Sequence, residues 1–219
     1  MKSINYLYDL IDKSDVTVIG YSFKNERLKD ELISRLSCYY VGEISYPFNV
    51  KSILRDAKIN QVLGDNDPFK FLLIDVNDVI VDVPSNNSMN RSRILSKIVE
   101  DIRQDMMSVF NEDNDMGLDF DDVDSHSQIK KETPYKLIIT TAVYKTVNSG
   151  KIIDSFSGGH HILYAADLAF YISDVDYVRS MFIDPQIKII KNRYDHDNID
   201  IDITTLIKSS KERKKLNII

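Results

Sequence analysis

A chain of 219 residues with 43% apolar and 28% charged residues has enough apolar side chain for a sizeable core, which excludes collagen, coiled-coil and wholly disordered classes. Its length suggests one compact domain with at most one appendage. A formal net charge of -6 excludes nonspecific coating of nucleic acid by bulk charge, so a DNA contact needs a local basic patch.

In chain order, Val16-Thr-Val-Ile-Gly20 reads as a short buried strand, and Asn25 to Ser37 sets Leu28, Leu32, Ile33 and Leu36 at helical spacing. Cys38-Tyr-Tyr-Val-Gly42 is a second strand, and past Pro47 the residues Val50, Ile53 and Leu54 share one face of a short helix. Phe69-Lys-Phe-Leu-Leu-Ile-Asp75 is apolar on both faces, as in a parallel sheet covered by helices. From Arg91 to Phe110, Ile94, Leu95, Ile98, Ile102, Met106 and Phe110 mark a long amphipathic helix. Residues 111–124 hold seven acids and no base, the start of an exposed, mobile insertion over 111–133. Regular structure resumes at Tyr135 to Val143, Leu163 to Ser173 and Ile187 to Arg193, while Ile199-Asp-Ile-Asp-Ile203 alternates like a half-exposed edge strand. The core domain then spans 1–207 and a basic tail spans 208–219, with five basic residues and one acid between Lys208 and Lys215.

Strands separated by helices early and joined directly later predict an α/β sandwich, its parallel sheet extended by antiparallel edge strands. No apolar run approaches the roughly 18 uncharged residues of a membrane helix, and Met1-Lys-Ser-Ile-Asn-Tyr6 lacks a signal-peptide run, so a cytoplasmic protein without a membrane partner is expected. The single cysteine, Cys38, has no disulfide partner in the chain and reads as a small core residue. His160 and His161 are adjacent and no third ligand follows at a zinc-like spacing, so no metal site is expected.

In open α/β sheets, chemistry gathers at the carboxyl ends of strands. Glu43 follows the second strand in Val41-Gly-Glu-Ile-Ser45, and Asp75 ends the third, the pattern of a Walker B carboxylate that holds Mg²⁺. Thr141-Ala-Val-Tyr-Lys145 leads into a stretch with Lys151 that ends Ser157-Gly-Gly-His-His161, and Ile187-Lys-Ile-Ile-Lys-Asn-Arg193 ends in two cations. This series, in this order across residues 16 to 203, resembles the RecA-type ATPase core, most closely its DnaB-helicase and RadA branch. The resemblance implies a three-layer RecA-like sandwich. It makes Glu43 the residue that activates water, and it matches the Gly158 to Tyr171 stretch to the element after the family's DNA-binding loop. It equates Lys191-Asn192-Arg193 with the K-N-R motif that reaches the nucleotide of a neighbouring subunit.

The first strand departs from that pattern. Where G-x-x-x-x-G-K-S/T should cradle phosphate, the chain has Gly20-Tyr-Ser-Phe-Lys-Asn-Glu-Arg27: Asn25 replaces the second glycine, Glu26 the lysine and Arg27 the hydroxyl residue. A carboxylate repels phosphate, and only Lys24 or Arg27 remains to offer positive charge. Ala142 stands where the family senses the γ-phosphate and offers no side-chain hydrogen bond. The expectation is therefore a non-hydrolysing accessory of DNA replication, recombination or repair that assembles with itself or an active relative through Lys191 and Arg193. No cofactor is expected, with ATP and Mg²⁺ reserved for a rescued phosphate loop. Arg91, Arg93, Lys145, Lys151 and His160 are the candidate contacts to single-stranded DNA. A divergent active motor and a DNA-independent interaction scaffold are the alternatives. A composition rich in Ile, Asn, Lys and Asp suits a phage or mobile-element protein in a bacterial cell.

Overall fold

The computed structural model describes residues 2–40, 70–77, 93, 95–97, 99–104, 136–159, 161–173, 176–178, 181–183, 185–194 and 201–209. The elements are β1 (Lys2–Ser3), α1 (Ile4–Lys13), β2 (Val16–Tyr21), a 3-10 turn (Phe23–Asn25), α2 (Glu26–Ile33), β3 (Cys38–Tyr40), β4 (Phe71–Asp75) and α3 (helical residues 93, 95–97 and 99–104). They continue with β5 (Lys136–Asn148), β6 (Lys151–Phe156), α4 (His161–Ala165), β7 (Leu168–Ile172), β8 (Asp176–Val178), β9 (Met181–Ile183), β10 (Ile187–Asn192), β11 (Ile201–Asp202) and α5 (204–209).

The sheet runs β3-β4-β5-β2-β7-β10-β11-β1, with β6 paired to the distal half of β5. The five strands from β3 to β7 are mutually parallel, β10 is antiparallel to both its neighbours, and β8 and β9 form a separate hairpin. The chain is thus α/β with a mixed, mostly parallel sheet. Apolar residues on both sides of β2, β4 and β5 are what a two-face burial demands. Val18, Leu72, Ile74, Leu137 and Ile139 pack with Leu95, Val99 and Ile102 of α3 and Ile162 and Leu163 of α4. On the other face, Ile19, Leu73, Ile138 and Phe170 lie with Leu7 and Ile11 of α1, Leu28 and Leu32 of α2, and Leu206 of α5.

Three expectations shift. The helix expected over Asn25 to Ser37 is shorter: α2 covers Glu26–Ile33, and Leu36 N–H bonds the Ile33 carbonyl in a turn beyond it. The alternating Ile199 to Ile203 segment does not close the sheet, because Lys2–Ser3 pairs in parallel outside Ile201–Asp202. Helix α1 has no counterpart among the sequence-based expectations; Ile4, Leu7, Leu10 and Ile11 bury one stripe of it, each worth about 2 kcal/mol when fully removed from water. The Ser14 hydroxyl closes it by donating to the Leu10 carbonyl at 2.7 Å. Cys38 packs partly buried against the α1 and α2 face, and burial pushes its thiol up to about 12. The short helix near 50–54, the acidic segment 111–133 and residues 210–219 lie outside the described residues. Among the described residues, no helix is long and apolar enough to cross a membrane.

Gly20 is a packing glycine within β2. A Cβ there would lie 2.7 Å from atoms of Phe156, Tyr171 and Val143, which seal the face carrying α4. Gly20→Ala is expected to destabilise the protein by about 1–3 kcal/mol through overpacking, read as a lower urea midpoint with an unchanged denaturant slope.

Candidate functional site

Leaving β2, the chain enters α2 on one face of the sheet; leaving β5, it passes through β6 to α4 on the other. Adjacent strands whose connections part in this way open a crevice at their carboxyl ends. There a cleft of about 650 Å³ opens between α2 and the ends of β2, β4 and β5. One stripe of α2, Glu26, Lys29, Asp30, Ile33 and Ser34, forms its wall, and Tyr21, Asp75, Asn77 and Thr140 line the sheet side. These strand-end residues fall on the α2 face because they continue the alternation of Ile19, Phe71, Leu73 and Ile138, which are buried there.

Asp75 is the centre of a closed network. Its Oδ2 accepts from the Thr140 hydroxyl at 2.9 Å and from the Tyr21 hydroxyl at 3.2 Å, and its Oδ1 accepts from the Asn77 backbone N–H at 2.8 Å. The Asn77 amide also donates to the Tyr21 hydroxyl at 3.2 Å. The Lys29 ammonium sits 4.5 Å from the centre of the Tyr21 ring and 3.1 Å from Asp30. Burial, then the Asp75 charge and its hydrogen bond, push the Tyr21 hydroxyl far above the ordinary tyrosine range. Three of these partners, Tyr21, Asn77 and Thr140, are missing from the sequence-based candidates. The Asp75-Val-Asn77 spacing is a sequence signal for an Asx-turn, whereas Thr140 meets Asp75 only through the pairing of β4 with β5.

The turn after β2 is short. Only Ser22 separates Tyr21 from the 3-10 turn that feeds α2. Asn25 is buried and its side-chain amide donates to the Ser173 carbonyl at 2.6 Å, tying the start of α2 to the end of β7. Glu26 opens α2 and reaches the cleft; Lys24 and Arg27 are exposed and do not line it. Ala142 is buried in β5 beside Tyr21. Glu43, the expected water-activating residue, lies outside the described residues, so its approach to Asp75 does too.

Lys191 and Arg193 lie at the opposite end of the sheet. Asn192 pairs with Leu168, the first residue of β7, which sets both cations at the amino edge of the parallel strands. Both are engaged within the chain. The Lys191 ammonium donates to the carbonyls of Leu163 and Tyr164 at 2.9 Å, closing the end of α4. Burial, then the nearby Arg193 charge, lower its pKa. The Arg193 guanidinium meets Asp167 Oδ1 at 2.5 Å, while Oδ2 of the buried Asp167 accepts the backbone N–H groups of Asp15 and Val16. Asp167 therefore clamps the start of β2, a role the sequence pattern did not single out.

Of the DNA candidates, Arg91 and His160 lie outside the described residues, and Arg93 is exposed on α3. The loop expected from Lys145 to His161 is, through Phe156, a hairpin of β5 and β6. Ser149 and Gly150 turn it with φ of 50° and 76°, the two positive values of a type I′ turn. Lys145 is exposed and faces Asp154 across the hairpin, and Lys151 opens β6 opposite Asn148. Tyr144, Val147 and Ile153 are exposed on it. At its base a hollow of about 100 Å³ collects Lys145, Asp154, Tyr171 and Lys188, with the Tyr171 hydroxyl donating to Asp154 at 2.5 Å. Among the described residues, no group of three or more His, Cys, Asp or Glu side chains is placed to hold a metal ion.

No protein-family model and no curated protein matches the chain.

Two outcomes follow from the two carboxylates. Asp167→Ala strands two backbone N–H groups and a guanidinium, so it is expected to lower stability by about 2–4 kcal/mol; Arg193→Ala leaves both N–H bonds in place and is expected to cost less, a ranking that chemical denaturation of the two variants reads directly. Because the folded Tyr21 pKa is raised, its contribution to stability is complete below about pH 10, the unfolded value, and is lost as pH rises beyond it. Asp75→Asn removes the negative charge and is expected to bring the Tyr21 titration down, followed by the ring-carbon NMR shift.

Proposed function

We propose that the chain is a RecA-like protein that does not hydrolyse ATP and serves as an accessory of DNA replication, recombination or repair, assembling with itself or an active relative and touching single-stranded DNA. The RecA-like reading is supported by the parallel run β3-β4-β5-β2-β7, by the strand-end carboxylate of β4 beside the turn after β2, and by the antiparallel strand β10 beyond β7.

The observation that carries the loss of hydrolysis is the state of Asp75. Three protein donors occupy its two oxygens, out of about four acceptor positions on a carboxylate, so little of Asp75 is left for a Mg²⁺ hydration shell. MgATP does not fit the rest of the donor set either. Phosphate needs converging N–H groups and a cation, whereas the described residues of this cleft bring Glu26, Asp30 and Asp75 around one ammonium, Lys29, which is held by Asp30 and the Tyr21 ring. The turn after β2 is held by Asn25, whose amide is committed to the Ser173 carbonyl, so a side chain stands where the phosphate loop has its second glycine.

For nucleic acid, the support is the β5–β6 hairpin, which carries two lysines and an exposed tyrosine past the carboxyl edge of the sheet. A contact to a neighbouring subunit through Arg193 has to compete with its bond to Asp167, so it favours a partner group of comparable charge, a phosphate or a carboxylate.

The test pairs turnover with DNA binding. Phosphate release with Mg²⁺ and ATP, with and without single-stranded DNA, is expected to match a protein-free blank; DNA-stimulated turnover that disappears in Asp75→Asn would establish a motor instead. Fluorescence anisotropy with a labelled oligonucleotide is expected to give weak, salt-sensitive binding, and Lys145→Ala with Lys151→Ala to flatten the salt slope by about one to two units. An unchanged slope, or no binding at low salt, removes DNA from the proposal.

A further inference from the structure

The carboxyl edge of the sheet has an opening on each side of β2. Glu26, Asp30 and Asp75 line the cleft against α2, whereas the hollow of about 100 Å³ at the base of the β5–β6 hairpin is a different environment. Sheet register builds it. Lys145 of β5 stands opposite Asp154 of β6, and Tyr171 of β7 stands opposite Lys188 of β10. The Tyr171 hydroxyl joins the two pairs by donating to Asp154 at 2.5 Å, and the Lys188 ammonium lies 5.5 Å from the centre of the Tyr171 ring. Two cations on separate strands therefore line one space together with one carboxylate, which the phenol holds in place.

The floor is closed and apolar. Val143 and Ile172 are buried, and atoms of Phe156, Tyr171 and Val143 fill the space over Gly20. Ser22 and the buried Ser173 complete the wall. The Ser173 hydroxyl oxygen accepts the Gln186 N–H at 3.1 Å, and a hydroxyl that accepts still has its proton to donate. An ordered water needs about 10–15 Å³, so the hollow has the size of a small tetrahedral oxyanion and is too small for a nucleoside.

We infer that this hollow binds one phosphate group between the Lys145 and Lys188 ammonium groups, with the Ser173 hydroxyl as a further donor and the Asp154 carboxylate as the group that limits affinity. Phosphate suits the arrangement because its several acceptor oxygens take lysines from two directions at once. The group comes either as a free ion or monoester, or as one unit of a nucleic-acid backbone. Tyr144 lines the hollow and is 49% exposed, which in the second case gives a neighbouring base a ring to stack on. The site stands on the strand register and the hollow, and does not need the DNA-accessory reading.

The experiment uses the full chain. Inorganic phosphate, titrated at an ionic strength held constant with chloride, is expected to shift the backbone amide NMR signals of Ser22, Ser173 and Lys188 along one binding curve. Lys145→Ala and Lys188→Ala are each expected to weaken that curve about fourfold, and Asp154→Asn to tighten it about fourfold, the factor that a unit charge at about 5 Å carries in bulk water. Both lysines are exposed, so their loss leaves the core intact, and a loosened fold would not produce the opposite sign for Asp154→Asn. Shifts that chloride alone reproduces, or an affinity that Asp154→Asn leaves unchanged or lowers, overturn the inference. A single-stranded oligonucleotide then separates the two sources. Displacement of phosphate, with Lys188→Ala weakening the oligonucleotide as well, assigns a backbone phosphate. Phosphate that binds and is not displaced assigns a free ion or monoester, and it removes the hairpin as the DNA contact while the site stands.

Discussion

Strand β2 has no free side. It pairs along its whole length with β5 on one edge and with β7 on the other, and all six of its residues are buried. Every backbone group and every side chain is therefore committed, and the chain can change direction only at the two ends. At the amino end the buried Asp167 carboxylate fixes the entry by accepting the N–H groups of Asp15 and Val16. At the carboxyl end the next groups available to the chain are Tyr21, Ser22 and the turn into α2, which is why the cleft chemistry begins one residue past Gly20. Gly20 itself serves the interior, since Phe156, Tyr171 and Val143 close over the space a side chain would need.

The two carboxylates at the ends of the sheet show how environment divides one chemical type into two roles. Asp167 is 2% exposed, accepts backbone donors and is joined by a guanidinium that is itself half in water. Its lone pairs are filled by groups that cannot leave without unravelling the start of β2. Asp75 is filled by two hydroxyls and the N–H of an Asx-turn, groups that rotate or shift locally. The Asp75 network keeps Tyr21 protonated, because ionising it beside a carboxylate in a partly buried site costs more than in water. Among the described residues the cleft thus presents neutral hydroxyls backed by negative charge.

Strands with doubled apolar faces were legible: Val16 to Gly20, Phe71 to Asp75 and Leu137 to Val143 all lie in the sheet, and strict burial on both sides leaves few other ways to place such residues. The parallel direction of the early strands followed from the helical pattern between them. What escaped was pairwise and long-range. Nothing near Ile201 announces that Lys2 and Ser3 will pair outside it, and nothing near Asp75 announces Thr140, because sheet register is decided by the packing of whole strands. Helix α1 escaped for a different reason: its four buried positions are interleaved with Asn5, Asp9 and Asp12, so the stripe is visible only against the sheet it covers. For Lys191 and Arg193 the sequence showed two cations after a strand, and it could not show that α4 and Asp167 would supply acceptors for both.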